Sequence, residues 1–146
     1  MEQPHWDGRA RLWGGRVRKL LRLWLPPLVW MGIIFFVSAQ PTVPSVPGRW
    51  DLLMKKAMHV MAYATLTYLY LRAMRGCGTR GWVSRGASAA LALGYAFSDE
   101  YHQTFVPGRN GTLVDVGIDT VGIAAVTLLD WWTRRVSPRQ ASQASQ

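Results

Sequence analysis

The fold turns on residues 89–109, "AALALGYAFSDEYHQTFVPGR". The first half is apolar and reads as a membrane helix. The second half carries Asp99, Glu100, His102, Gln103 and Arg109. Asp99, His102 and Gln103 are spaced i, i+3, i+4, so they share one helix face. An apolar helix with charge confined to one face near one end reads as a span whose end lines a polar site.

Working outward, four apolar segments cover residues 20–38, 57–74, 84–106 and 112–132. At a rise of about 1.5 Å per residue each crosses a hydrocarbon core of about 30 Å, given tilt and flanking anchors. The expectation is an all-α integral membrane bundle of four transmembrane helices. It is bounded by a basic N-terminal segment at 1–19, expected to lack fixed structure, and a disordered tail at 136–146. Pro26-Pro27 is expected to start or kink the first helix. Residues 39–50, "AQPTVPSVPGRW", with three prolines, read as a loop.

The chain has 146 residues, room for one domain, and a net charge of +9. Mean hydropathy is near zero because apolar blocks alternate with Arg-rich pieces. Those basic residues flank apolar blocks and do not form a folded basic domain, so nucleic acid is not the expected partner. Thirteen of the 17 basic residues fall in the N-terminal segment, between helices two and three, or after helix four. Arg49, Lys55, Lys56 and Arg109 fall on the other side. The positive-inside rule then puts both termini in the cytoplasm. Trp24, Trp82, Trp131 and Trp132 would lie at the inner interface and Trp50 at the outer one. The lone Cys77 excludes an internal disulfide. "VSA" at Val37–Ala39 is a competing signal-peptidase site, and an Arg-rich start also resembles a transit peptide.

On this topology the polar residues converge in the outer part of the membrane. Lys56, His59 and Tyr63 follow i, i+3, i+7 on helix two. Asp115, Asp119 and Gly122 follow i, i+4, i+7 on helix four. An acid at the bilayer centre costs about 2.5–3.5 kcal/mol on insertion scales, so four acids need partners or water. Expected partners are Lys56, Arg109 and the two histidines. Each residue also has a bland reading: Asp115 as a helix N-terminal acid, His59 and Tyr63 as packing or interhelical hydrogen bonds, Lys55 as a snorkelling cation. Pro107 ends helix three and Gly108 allows a turn that holds Arg109 over the cavity, where its planar fork suits phosphate or carboxylate. Thr112 is a cap for helix four. Gly117 to Gly122, with Ala124 and Ala125, would permit close packing.

These residues resemble the VanZ-like family of bacterial membrane proteins. The likeness rests on "FVSAQP" after helix one, on Lys56, His59, Tyr63 and Leu66, and on Asp99-Glu100, Gln103, Phe105 and Pro107-Gly108-Arg109. Asp115, Asp119 and Gly122 complete it. It covers roughly residues 35–122. The family often has an acid where this chain has Lys55, and Asn where it has Asp119. The resemblance implies the bacterial cytoplasmic membrane and an association with low-level resistance to teicoplanin-type glycopeptides.

The chemistry expected is action on, or binding of, an anionic phosphorylated lipid or a lipid-linked envelope precursor. Lys56, Tyr63, Gln103, Arg109 and Asp119 would bind it. Glu100 or Asp99, with Asp115, would handle protons as base, and His59 or His102 would donate them. The spacing from Arg109 to Asp115 to Asp119 is also that of a motif in type-2 phosphatidic acid phosphatases, without its nucleophilic histidine. No cofactor is expected, although His59, His102 and the carboxylates could hold one divalent ion. The alternatives are a non-enzymatic lipid- or antibiotic-binding or partner-assisting module, or a proton-linked transporter.

Overall fold

The computed structural model describes residues 7–41, 49–109 and 111–143. His5, most of the proline-rich loop and Asn110 lie outside the described residues. Four helices follow one another: α1 (Asp7–Ser38), α2 (Arg49–Gly76), α3 (Gly81–Gln103) and α4 (Leu113–Gln143). No strand occurs among the described residues. Two boundaries differ from expectation in the same direction. α1 begins at Asp7, well before residue 20, and α4 continues as helix to Gln143 through the stretch expected to be disordered. α3 stops at Gln103, three residues early, because Thr104 to Gly108 form turns.

α1 runs through Pro26 and Pro27 without a break. A proline inside a helix leaves the carbonyl four residues earlier without its N–H partner. For Pro26 that carbonyl belongs to Arg22, and the Arg72 side chain on α2 reaches it at 3.5 Å. Neighbouring helices supplying such donors are what makes proline tolerable in apolar surroundings.

α2 is the centre of the bundle. It packs on α4 most extensively, then on α3 and α1. Gly122 makes the α2–α4 approach possible: a Cβ there would collide with the Val60 carbonyl oxygen. Gly117, on the same helix, faces open space. α1 is held more lightly, by discrete hooks. Trp30 Nε1 donates to the Ala62 carbonyl at 2.9 Å, and the Tyr95 hydroxyl donates to the Met31 carbonyl at 2.7 Å. The Trp24 and Tyr70 rings meet at 6.3 Å. These hooks add to van der Waals contact between helices.

The distribution of side chains is inverted relative to a water-soluble bundle. Asp99, Glu100, Gln103, Asp119, Ser38, Thr67, Ser84 and Ser88 are buried. Leu28, Phe36, Met61, Tyr68, Leu91, Phe97, Val121 and Leu128 are exposed. In soluble proteins ionisable residues are almost never fully buried unless paired, and large contiguous apolar patches are rarely exposed. By length and apolar composition alone, α1 meets the requirement for a membrane span, over Gly14–Ser38. Arg85, Asp99 and Glu100 in α3 lower its hydropathy, and Lys56, His59, Asp115, Asp119 and Asp130 do the same for α2 and α4.

The two ends of the bundle differ. At one end the C-termini of α1 and α3 meet the N-termini of α2 and α4. At the other, Asp130 accepts from Arg75, Arg85 and Arg134, so one carboxylate gathers three guanidinium groups. Asp130 was not singled out by the sequence reading. Its first partner is 55 residues away in the chain, and it sits inside an apolar run.

Candidate functional site at the α1/α3 C-terminal end

The last turn of α3 sets the site. Asp99, Glu100 and Gln103 all point into the bundle, at 3%, 5% and 5% exposure. Gln103 Nε2 donates to Asp99 Oδ2 at 3.1 Å and lies 3.2 Å from Glu100 Oε1, so one amide ties the two acids. Ser38, the last residue of α1, donates its hydroxyl to Asp99 Oδ2 at 2.9 Å. Glu100 Oε2 accepts the backbone N–H of Thr112 at 2.8 Å. The chain can pass that close because residue 111 is glycine: a Cβ there would strike the Glu100 carbonyl oxygen.

Thr112 is the expected cap of α4. Its hydroxyl accepts the Asp115 N–H at 3.2 Å and donates to Asp115 Oδ2 at 2.8 Å. The hydroxyl caps the N-terminus of α4, but the Thr112 N–H that a capping box would pair with Asp115 goes to Glu100. Asp115 also pairs with Lys56 at 3.6 Å, and both are about one-third exposed. Lys56 and Asp115 therefore form a solvent-reachable mouth, and Asp115 lies in the first turn of α4 as its helix N-terminal reading has it.

Deeper in, His59 Nδ1 lies 3.1 Å from Asp119 Oδ1. Asp119 is fully buried, at 0%. His59 of α2, Glu100 of α3 and Asp119 of α4 place one ligand-capable atom each within 4.8 Å of one another. Tyr63, one turn further along α2, is also at 0%. Among the described residues its hydroxyl has no hydrogen-bond partner, nor do Asp119 Oδ2 and Asp99 Oδ1.

Arg109 reaches the cluster, but in a different manner from that expected. Its Nε donates to the Gln40 carbonyl at 3.1 Å and its Nη2 to the Val37 carbonyl at 3.1 Å. Its Nη1 donates to Gln103 Oε1 at 3.3 Å. The guanidinium thus clasps the end of α1 and orients Gln103. Arginine has five N–H donors, so two remain for a ligand. Gly108, with φ of 80°, sets the turn before it. Arg109→Lys keeps the charge and loses the fork. It is expected to release the α1 end at a cost of about 1.5–3 kcal/mol, the range for hydrogen bonds to a charged group. A lowered melting temperature in detergent micelles, with faster proteolysis near Gln40, is the readout.

His102 is the expected site residue that the structure sets apart. Its ring lies 4.3 Å from that of Phe35 on α1, and its Nδ1 is buried without a partner among the described residues. The group of potential ligands holds His59, Glu100 and Asp119, without His102. From the sequence alone Ser38 has no role, and the carbonyls of Val37 and Gln40 are missed. The backbone acceptors have no signature in the sequence.

No curated protein and no solved structure matches the chain. The model of the VanZ/LLP1 family matches residues 23–134, a span that runs from α1 into α4 and contains every side chain of the cluster. This chain is therefore a member of the VanZ/LLP1 family.

Proposed function

We propose that this VanZ-family chain spans the cytoplasmic membrane of a bacterium four times, with both termini inside, and that its outer half binds and acts on a phosphorylated headgroup. The headgroup would belong to an anionic lipid or a lipid-linked envelope precursor. One observation carries the reading: three buried acids, two of them with oxygens unpartnered among the described residues, gather behind the partly exposed Asp115 in a bundle with a largely apolar outer surface. Such a core is costly in any solvent and is retained where it serves a site. The split of basic residues supports the orientation, since Arg72, Arg75, Arg80 and Arg85 cluster at the end opposite the acids.

In this reading Lys56 at the mouth and the two spare N–H groups of Arg109 meet the phosphate oxygens. A carboxylate of the Asp99/Glu100 pair accepts a proton from water as it attacks phosphorus. The bond from phosphorus to the leaving oxygen breaks, and His59 protonates that oxygen. A continuous proton path for transport has less support. Inward of Tyr63, Leu66, Tyr70, Ala92 and Ala96 are buried, and the buried hydroxyls of Thr67, Ser84 and Ser88 each donate to a carbonyl of their own helix. Asp130 follows Asp119 by about 16 Å of helix rise. The association of the family with glycopeptide resistance would then follow from altered lipid-linked precursors.

The test is binding and phosphate release in phosphatidylcholine nanodiscs doped with phosphatidic acid or a polyprenyl phosphate. Wild type is expected to bind the phosphorylated lipid over its dephosphorylated counterpart. Lys56→Gln should weaken that binding about tenfold or more, as expected for one charge-assisted hydrogen bond. Equal affinity for the neutral lipid would remove the headgroup reading. Binding without phosphate release would leave a non-enzymatic module.

A further inference from the structure

We propose that His59, Glu100 and Asp119 bind a divalent first-row metal ion, of the Mn2+ or Zn2+ type, where α2, α3 and α4 converge. The proposal does not rest on the headgroup reading and goes beyond it.

Geometry is the first support. The three ligand-capable atoms lie within 4.8 Å of one another, and the His59–Asp119 pair is 3.1 Å apart. Adjacent ligands at about 2.0–2.2 Å from one ion lie roughly 2.8–3.6 Å apart, so the His59–Asp119 pair fits as it stands and Glu100 has to close in by a side-chain adjustment. Each ligand comes from a different helix, so the folded bundle, and no local motif, builds the site.

The second support is independent of the spacing. Asp119 is 0% exposed, and its Oδ2 has no donor in reach. The Tyr63 hydroxyl beside the cluster is also 0% exposed and unpartnered. Buried polar atoms in native proteins are paired with protein, water or an ion, and a buried carboxylate oxygen is among the most costly to leave bare. A cation among the three side chains supplies that partner.

Charge and donor type point the same way. Asp99, Glu100, Asp115 and Asp119 share one end of the bundle, and among the described residues Lys56 pairs with Asp115. Arg109 spends three donors on two backbone carbonyls and an amide oxygen. Among the described residues, the ion pair seen at the inner acids is that of His59 with Asp119. Two carboxylates and one imidazole suit Mn2+ or Zn2+ better than Ca2+, which takes six to eight oxygens, or Cu+, which prefers sulfur. The second layer is present as well: Gln103 and the Thr112 N–H both hold the Glu100 carboxylate in place. Three protein ligands leave open positions for water or a phosphate oxygen. With the ion bound, ligation takes the place of the acid and base roles proposed above for His59 and Glu100, and Asp99 remains as the nearby carboxylate for proton transfer.

The experiment uses the full chain in nanodiscs, stripped with chelator and titrated with Mn2+ while free Mn2+ is followed by electron paramagnetic resonance. One equivalent is expected to bind. Asp119→Asn and His59→Gln should each weaken binding by more than about tenfold, and Zn2+ should displace Mn2+. Asp130→Asn, at the opposite end, should bind as wild type does. X-ray absorption of the Zn2+-loaded wild type should report one nitrogen and several oxygens near 2.0–2.1 Å, which needs no variant to fold. Failure of wild type to take up either ion, or Mn2+ uptake unchanged in a folded Asp119→Asn, overturns the proposal. The headgroup reading would survive that failure if the binding of phosphorylated lipid persisted in chelator.

Discussion

Glu100→Gln is expected to abolish headgroup turnover while the protein still inserts and accumulates normally. Glu100 is 5% exposed and is held by the Thr112 N–H and by Gln103. The amide has the same shape, and its oxygen can still accept the Thr112 N–H. Its nitrogen replaces Oε1 opposite Gln103 Nε2, which Asp99 and Arg109 hold in orientation, so only that 3.2 Å contact is lost. Local structure should therefore persist. What is lost is the negative charge and the ability to accept a proton or hold a cation. Loss of a positioned acid–base group costs about 10²–10⁴ in rate. The measurement is phosphate release in nanodiscs, paired with membrane abundance. An unchanged rate at equal abundance would make Glu100 a structural acid only.

Gly122→Leu should have the largest effect on stability. The Cβ it introduces would meet the carbonyl of Val60 and the amide nitrogen of Ala64. Those are backbone atoms of a helix and cannot turn aside as a side chain can. α2 and α4 would have to move apart along the most extensive contact in the bundle. Overpacking of a core costs about 1–3 kcal/mol, and a backbone clash lies at or above the top of that range. Separation would also draw His59, next to Val60, away from Asp119, one turn before Gly122. Gly122→Ala should show the same effect in smaller degree. The readout is the melting temperature in micelles. A leucine variant that melts with wild type would mean that α2 and α4 do not approach as closely as described.

The helix count and the convergence of the acids were legible in the sequence, because hydropathy and helical spacing report on them directly. The i, i+4 step from Asp115 to Asp119 and the i, i+3 step from Lys56 to His59 put the right faces together. The ends of α1 and α4 were not legible, since a hydropathy window stops where the apolar run stops and a polar helix can continue. His102 shares a helical spacing with Asp99, yet about 100° of rotation per residue turns it toward Phe35 on α1. The clasp made by Arg109 escaped for a different reason. Its partners are carbonyls of Val37 and Gln40, about 70 positions away in the chain and set only by the packing of α1. Asp130 escaped because its meaning depends on Arg75 and Arg85, which reach it only once α2, α3 and α4 are packed.

The central claim is that the acidic cluster opens on the outer side of the membrane, with the α2–α3 turn inside. The native Cys77, free and exposed in that turn, gives a direct test. In intact cells a membrane-impermeant maleimide should leave Cys77 unlabelled and should label it once the membrane is opened. In a Cys77→Ser background, Thr104→Cys, at the exposed turn beside the cluster, should label in intact cells. Labelling of Cys77 from outside, with residue 104 protected until lysis, would contradict the account.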